Sequence, residues 1–247
     1  MEPAGAVDKA IEILFHLHAE PSATGVTAIG QALGIPKSSA HRLLGALARR
    51  GLVERDDGGR YRPGMGLVAL GLGALDREPV VAAARPLLET EAAALGETVF
   101  LVGARAGRLT VLDKAEGTGF LRAAPRVGSE VPVHATAVGK LFLALAPDAV
   151  APPAKPERFT EATRDRASLA SEVERVRSLG FAENREEWIP GLAVVAAPIR
   201  SDAGLYAAVA VAATTARMDA LGRDAVARRA IATGQRISAR LGGKHDA

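Results

Sequence analysis

Apolar residues recur every three or four positions in the first third of the chain. Beyond residue 80 they fall into short continuous or alternating runs between helical stretches. Val7, Ala10, Ile11, Leu14 and Leu17 predict an amphipathic helix over 6–18, with His16 and His18 on its surface and no third metal ligand near them in sequence. Residues 19–25 read as a loop. A shorter helix follows, with Thr27 as its N-cap, Ile29 and Leu33 facing inward and a tight turn at Gly34. Pro36 suits the first turn of the next helix, over 36–50, where Ala40, Leu43, Leu44 and Leu47 form one apolar stripe. Gly51 stops that helix at a left-handed position. Two short strands around Asp56-Asp57-Gly58-Gly59 then predict a hairpin ending near Gly64.

Residues 65–76 form an apolar run broken by Gly66, Gly71 and Gly73. It predicts a linker helix whose Leu67, Val68, Leu70, Leu72 and Leu75 require a partner, expected to be the same helix of a second copy. Residues 77–79 mark a boundary. A helix over 80–96 follows, with Pro86 kinking it or lying near its start, then strands over 98–105 and 108–117 joined at Ala106-Gly107. Further short strands are expected at 119–125 and 128–133. A helix starts near Thr136 and is ended by Pro147, and residues 147–160 are Pro-rich and irregular. Next come a helix over 168–180, a loop or frayed strand over 181–191, and two apolar strands, 192–201 and 205–215, meeting at Asp202-Ala203-Gly204. One amphipathic helix over 218–242 closes the chain. Strands with helices on one side predict an antiparallel or mixed sheet, as in small-ligand sensor domains.

Charge sharpens the first part. The 247 residues carry a net +3, but from Pro36 to Arg62 there are seven basic residues (Lys37, Arg42, Arg49, Arg50, Arg55, Arg60 and Arg62) against three acids (Glu54, Asp56 and Asp57). Outside its apolar stripe the 36–50 helix offers only donors, and no acid occurs between Ile35 and Val53. Such a helix suits phosphate oxygens and base edges. With the helix before it and the hairpin after it, the segment reads as a winged helix-turn-helix.

Composition mainly excludes. With no cysteine there are no disulfides, no thiolate chemistry and no Cys-ligated zinc. No run approaches about 18 consecutive apolar residues, so no membrane span is expected. The N-terminus lacks the basic-then-apolar pattern of a secretory signal, and the expected location is cytoplasmic.

The chain resembles the IclR-type bacterial transcriptional regulators. The resemblance runs from about Val7 to Leu241 and rests on PKSSAHRLLGALARRGLVERDDGGRYRPG, VGSEVPVHATAVGKLFLA, GFAENREEWIPGLAVVAAPI and the strand ending near Arg217. It implies an α+β chain: a winged helix-turn-helix over 1–64, a linker helix over 65–79, and a C-terminal α/β, GAF-like effector-binding and oligomerisation domain over 80–247. The implied partners are double-stranded operator DNA, a small organic acid effector and further copies of the chain, as a dimer or dimer of dimers. No cofactor, metal, membrane or enzymatic activity is implied. Whether the regulator is a repressor or an activator stays open.

By the same resemblance, Ser38, Ser39, His41 and Arg42 are DNA-contacting candidates, and Lys37, Arg60 and Arg62 join them on their charge. Arg42 is a guanine reader or a phosphate clamp, whereas Lys37, Arg60 and Arg62 look like phosphate contacts. The effector-site candidates are Ala137, Val138, Gly139, Asn184, Val194, Ala210 and Ala212. The backbone N–H groups of the HATAVGK segment, at a helix start, favour a carboxylate; an ordinary strand-to-helix connection capped by Thr136 explains the segment too. The chain departs from the family pattern where Asn184 replaces an acid, Val194 a frequent cysteine, and Ala210 and Ala212 a Ser-x-Ser pair. A buried small hydroxyacid would lose donors there, each worth about 1–3 kcal/mol. An apolar or aromatic carboxylic acid fits better, and so does a domain that only oligomerises. An enzyme built on His134, Lys140, Asp113 and the Glu186/Glu187 pair is the rival from another class, without a nucleophile elbow, metal cluster or phosphate loop to support it.

Overall fold

The computed structural model describes residues 5–75, 77–119 and 126–242. The chain divides into two units between Arg77 and Glu78.

The first unit packs three helices, α1 (Ala6–Ala19), α2 (Val26–Leu33) and α3 (Lys37–Arg49), with strands β1 (Thr24–Gly25), β2 (Val53–Arg55) and β3 (Arg60–Pro63). Ile13, Leu17, Ile29, Ile35, Ala40, Leu44, Leu47, Val53 and Tyr61 form its core. The core face of α1 is rotated from the expected stripe. Ile13 is fully enclosed, whereas Val7, Ile11 and Phe15 stay exposed, because this helix is apolar on two sides and the small unit covers only one. His16 is half-buried rather than on the surface. The expected loop before α2 contains β1, which pairs antiparallel with β3 (Thr24 opposite Tyr61). That pairing moves the N-cap of α2 to Gly25, and Thr27 lies inside the helix. Pro36 is the N-cap of α3, one position earlier than expected, and Gly51 takes the left-handed conformation (φ 68°). The linker, α4 (Met65–Leu75), starts on this unit: Gly66 N donates to Gly51 O at 2.8 Å. No residue of α4 is buried.

The second unit is a six-stranded antiparallel sheet. Its strands are β4 (Thr98–Arg105), β5 (Arg108–Ala115), β6 (Glu130–Val131), β7 (Ala182–Arg185), β8 (Leu192–Ser201) and β9 (Gly204–Thr214), in the order β6-β5-β4-β9-β8-β7. Its helices are α5 (Pro79–Leu95), α6 (Ala137–Leu145), α7 (Arg166–Leu179), α8 (Thr215–Leu221) and α9 (Arg223–Gly242). Side chains alternate between the two faces. Phe100, Val102, Val194, Ala196, Ala210 and Ala212 pack on α6 and α7. The opposite face meets α5 and α9. Helices therefore cover both faces, not one, which suits strands as uniformly apolar as β8 and β9.

Ala106 (φ 49°) and Gly107 (φ 78°) give the two left-handed residues of a tight turn between β4 and β5. Pro86 lies inside α5. Of the two alternatives for 181–191, a loop or a frayed strand, the first half is a strand, β7, paired with β8. The closing helix is two, broken at Gly222. The strand expected over 119–125 falls, beyond Gly119, outside the described residues, and the one over 128–133 shortens to β6. Among the described residues no helix is long and apolar enough to cross a membrane.

Candidate functional site

In the first unit, α3 turns Ala40, Leu44 and Leu47 into the core, and so Lys37, Ser38, His41 and Arg42 onto the exposed side; Ser39 is half-buried. Among the described residues no carboxylate pairs with Lys37, His41 or Arg42. The wing differs from expectation. Register places Glu54 directly opposite Arg62, whose Nη2 donates to the Glu54 carboxylate at 2.9 Å. Arg60 Nε donates to Asp56 at 3.2 Å, and the Asp56 carboxylate also accepts from Arg60 N at 2.8 Å. These bonds hold both acids below the usual carboxylate range, led for Glu54 by the backbone N–H of Met65 and for Asp56 by that of Arg60. The free positive charge therefore sits on α3, and the wing arginines are partly neutralised at home.

In the second unit the candidate site lies where the N-terminus of α6 meets the sheet. Thr136 caps the helix: its Oγ1 accepts from Gly139 N at 3.0 Å and donates to Pro132 O at 2.7 Å. The next N–H groups, of Ala137 and Val138, have no acceptor within the helix. The two residues border a cavity walled by Phe100, Val131, Thr136, Ala137, Val138, Asn184, Trp188, Leu192, Val194 and Ala212. The wall is almost wholly apolar. Its free volume is about 20 Å³, room for about one water molecule.

Five sequence candidates thus share one cavity: Ala137, Val138, Asn184, Val194 and Ala212. Gly139 and Ala210 are not on its wall. Gly139 is buried against the preceding loop, where a Cβ would meet Val133 O at 1.8 Å, so its role is close packing. Ala210 is fully enclosed in the core one register step from Ala212. Asn184 is already engaged: its amide donates to Ala135 O, and its Oδ1 accepts from Glu187 N at 3.3 Å. Phe100, Val131, Trp188 and Leu192 escaped the sequence reading. Trp188 had a signal, being the one tryptophan of the chain, two residues past Glu186 in the EE…G segment.

Of the residues of the enzyme rival, Lys140 and Glu187 meet as a buried ion pair, while Asp113 and His134 have other partners. A register shift at Leu101/Val102 turns Asp113 toward α5, where its Oδ1 accepts from Arg85 at 2.9 Å; burial raises its carboxyl above the usual range. Lys140 is fully enclosed on the other side of the sheet. Its Nζ donates to Glu183 O at 2.7 Å and to Glu187, which also meets Arg164 at 3.3 Å. His134 Nε2 lies 2.8 Å from Glu157 O, and its ring stacks on Phe159. Among the described residues no group of three His, Asp or Glu side chains is placed to hold a metal ion.

Comparison with known proteins supplies the context. Residues 72–239 match the family model for the bacterial transcriptional regulator IclR C-terminal domain, and residues 6–57 match the IclR helix-turn-helix domain. The chain is 32% identical over 249 residues to the HTH-type transcriptional regulator BhcR of Paracoccus denitrificans, covering 98% of this chain and 89% of that protein. The crystal structure of the Thermotoga maritima IclR aligns with a TM-score of 0.74 at 26% identity, over 96% of this chain and 98% of that one. An IclR homolog from Microbacterium hydrocarbonoxydans, complexed with 4-hydroxybenzoate, shares the fold: TM-score 0.84, 21% identity, 96% of this chain and 99% of that one.

Proposed function

The chain belongs to the IclR family of bacterial transcriptional regulators, DNA-binding proteins and not enzymes, and we propose that a small carboxylic acid with an apolar or aromatic body controls its hold on operator DNA. The observation that carries this reading is the cavity at the start of α6: its wall is hydrocarbon, and it lies beside the first turn of a helix, whose backbone N–H groups would favour a carboxylate once the cavity opens. The 4-hydroxybenzoate bound by the Microbacterium homolog has that chemistry. Lys37, Ser38, His41 and Arg42 on α3 are the proposed contacts to duplex DNA, with Ser39 at their margin and Arg60 and Arg62 in supporting roles. Exposed Val68, Leu70 and Leu72 on α4 support a homo-oligomer joined through the linker.

A second reading, a C-terminal domain that only oligomerises, is favoured by two facts: the cavity has space for little more than a water, and Asn184 is already satisfied. A gel shift on the DNA upstream of the protein's own gene, with and without benzoate or 4-hydroxybenzoate, separates the two. The proposal expects the acid to move the binding midpoint. A midpoint unmoved by any acid of this class leaves the oligomerisation reading.

A further inference from the structure

The cavity as it stands is too small for the acid proposed to occupy it, so one wall must move. Most of its walls cannot. Phe100, Val194 and Ala212 belong to three strands paired in the middle of the sheet. The start of α6 is pinned where Gly139 presses on Val133 O. Val131 lies in β6, whose backbone pairs with β5, and its side chain is buried.

Trp188 is placed differently. It stands in no strand or helix, half-buried, and Ile189 and Pro190 after it are exposed. The residues on either side are clamped. Glu186 N donates to Leu192 O at 2.8 Å, Thr160 Oγ1 donates to Glu186 O at 2.7 Å, and Thr163 Oγ1 donates to Glu187 O at 2.7 Å. The Glu187 carboxylate is held by Lys140 and Arg164. Beyond the tryptophan, Gly191 O accepts from Thr215 N at 2.9 Å. Leu192 N donates to Ile189 O at 3.2 Å, closing the turn behind the tryptophan, so one large flat side chain stands on a short irregular segment between two fixed points over the cavity.

Building on the effector reading above, we infer that Trp188 is the door of the cavity and the residue that sets its preference for aromatic acids. An acid enters as the indole swings outward, places its carboxylate at the Ala137 and Val138 N–H groups, and is then covered by the indole stacking on its ring. Aromatic pairs favour such offset stacking beyond the area they bury. Glyoxylate, with no ring, gains nothing from it.

Because Trp188 is the only tryptophan, its emission reports on this wall alone. The test is a titration of the full chain with benzoate, 4-hydroxybenzoate and glyoxylate, followed by tryptophan emission and in parallel by calorimetry. The aromatic acids are expected to release heat and shift the emission together. Trp188→Phe keeps benzoate binding, and Trp188→Ala weakens it about tenfold. Trp188→Leu, which retains apolar cover without a ring, repeats the comparison should Trp188→Ala not fold. Benzoate binding that leaves the emission unmoved, or that is equally tight in Trp188→Ala or Trp188→Leu, overturns the door while leaving the effector site standing. No heat from any acid overturns both.

Discussion

Lys140 and Glu187 meet as an ion pair from which water is excluded, the lysine side chain fully enclosed and the glutamate 4% exposed. The pair joins the middle of α6 to the residue preceding Trp188, so it ties two walls of the cavity together. Burial pushes the Lys140 ammonium below the usual lysine range, with Glu187 opposing that shift.

Removing Glu187 strands the Lys140 ammonium with only the Glu183 carbonyl, whereas removing Lys140 leaves Glu187 with Arg164. Glu187→Leu is expected to destabilise the C-terminal unit by about 3–5 kcal/mol, and the double change Lys140→Met/Glu187→Leu by clearly less. Urea unfolding followed by Trp188 emission reads this unit directly. The pH dependence has a defined sign. Between the lowered pKa of folded Lys140 and 10.5, the unfolded chain binds the extra proton, so this residue's contribution grows as pH rises and is lost as pH falls through the folded value. Lys140→Met should flatten that slope; a double change as costly as the sum of the singles would contradict the pairing.

Two neighbours at the start of α6 should respond differently. Thr136→Ala removes one cap and is expected to cost about 0.5–2 kcal/mol. Gly139→Ala forces a methyl into Val133 O, which is backbone and cannot swing aside, at a cost of about 1–3 kcal/mol from overpacking. It also displaces the N–H groups that would hold a carboxylate. Thermal melting and calorimetry together check the expectation that Gly139→Ala loses acid binding; unchanged binding would move the carboxylate elsewhere.

Charge pairing in the wing predicts unequal roles for the arginines. Lys37→Ala or Arg42→Ala should reduce the slope of log K against log salt for operator DNA by about one unit. Arg62→Ala should reduce it by less, because Glu54 already neutralises that guanidinium. Glu54→Gln should tighten binding. Anisotropy titrations across a salt series measure all four, and equal slopes for Arg42→Ala and Arg62→Ala would put the wing on a par with α3.

The linker makes a separate prediction. Met65, Val68, Leu70 and Leu72 are each about half exposed or more, in a helix with no buried residue. Leu70→Arg is expected to lower the mass of the assembly in sedimentation. An unchanged mass would show that α4 does not hold subunits together.

Much of this was legible in the chain itself, because local pattern sets local structure. Ala40, Leu44 and Leu47 at helical spacing oriented α3, and the Asp-Asp-Gly-Gly turn located the wing. What the pattern missed depends on contacts distant in sequence. β1 is two residues long and exists only through its pairing with β3, so nothing in residues 19–25 announces it. The face of α1 could not be chosen because apolar residues line two of its sides. In the cavity, motif matching brought in Ala137, Val138, Asn184, Val194 and Ala212 but also Gly139 and Ala210, which share their strand or helix without reaching the wall. Trp188 was passed over because it matched no motif position. The Glu54–Arg62 pair could have been read from hairpin register, since the turn places the two opposite each other.

The proposed control of operator binding by an acid requires the cavity and the DNA-binding helix to share one free energy. Such coupling is reciprocal: if an acid changes operator affinity by some factor, operator DNA must change acid affinity by the same factor. The direct measurement is a calorimetric titration of benzoate or 4-hydroxybenzoate into the free protein and into its saturated operator complex. Two different dissociation constants are expected, in a ratio equal to the shift seen by gel retardation. Identical constants for an acid that binds tightly in both would contradict it.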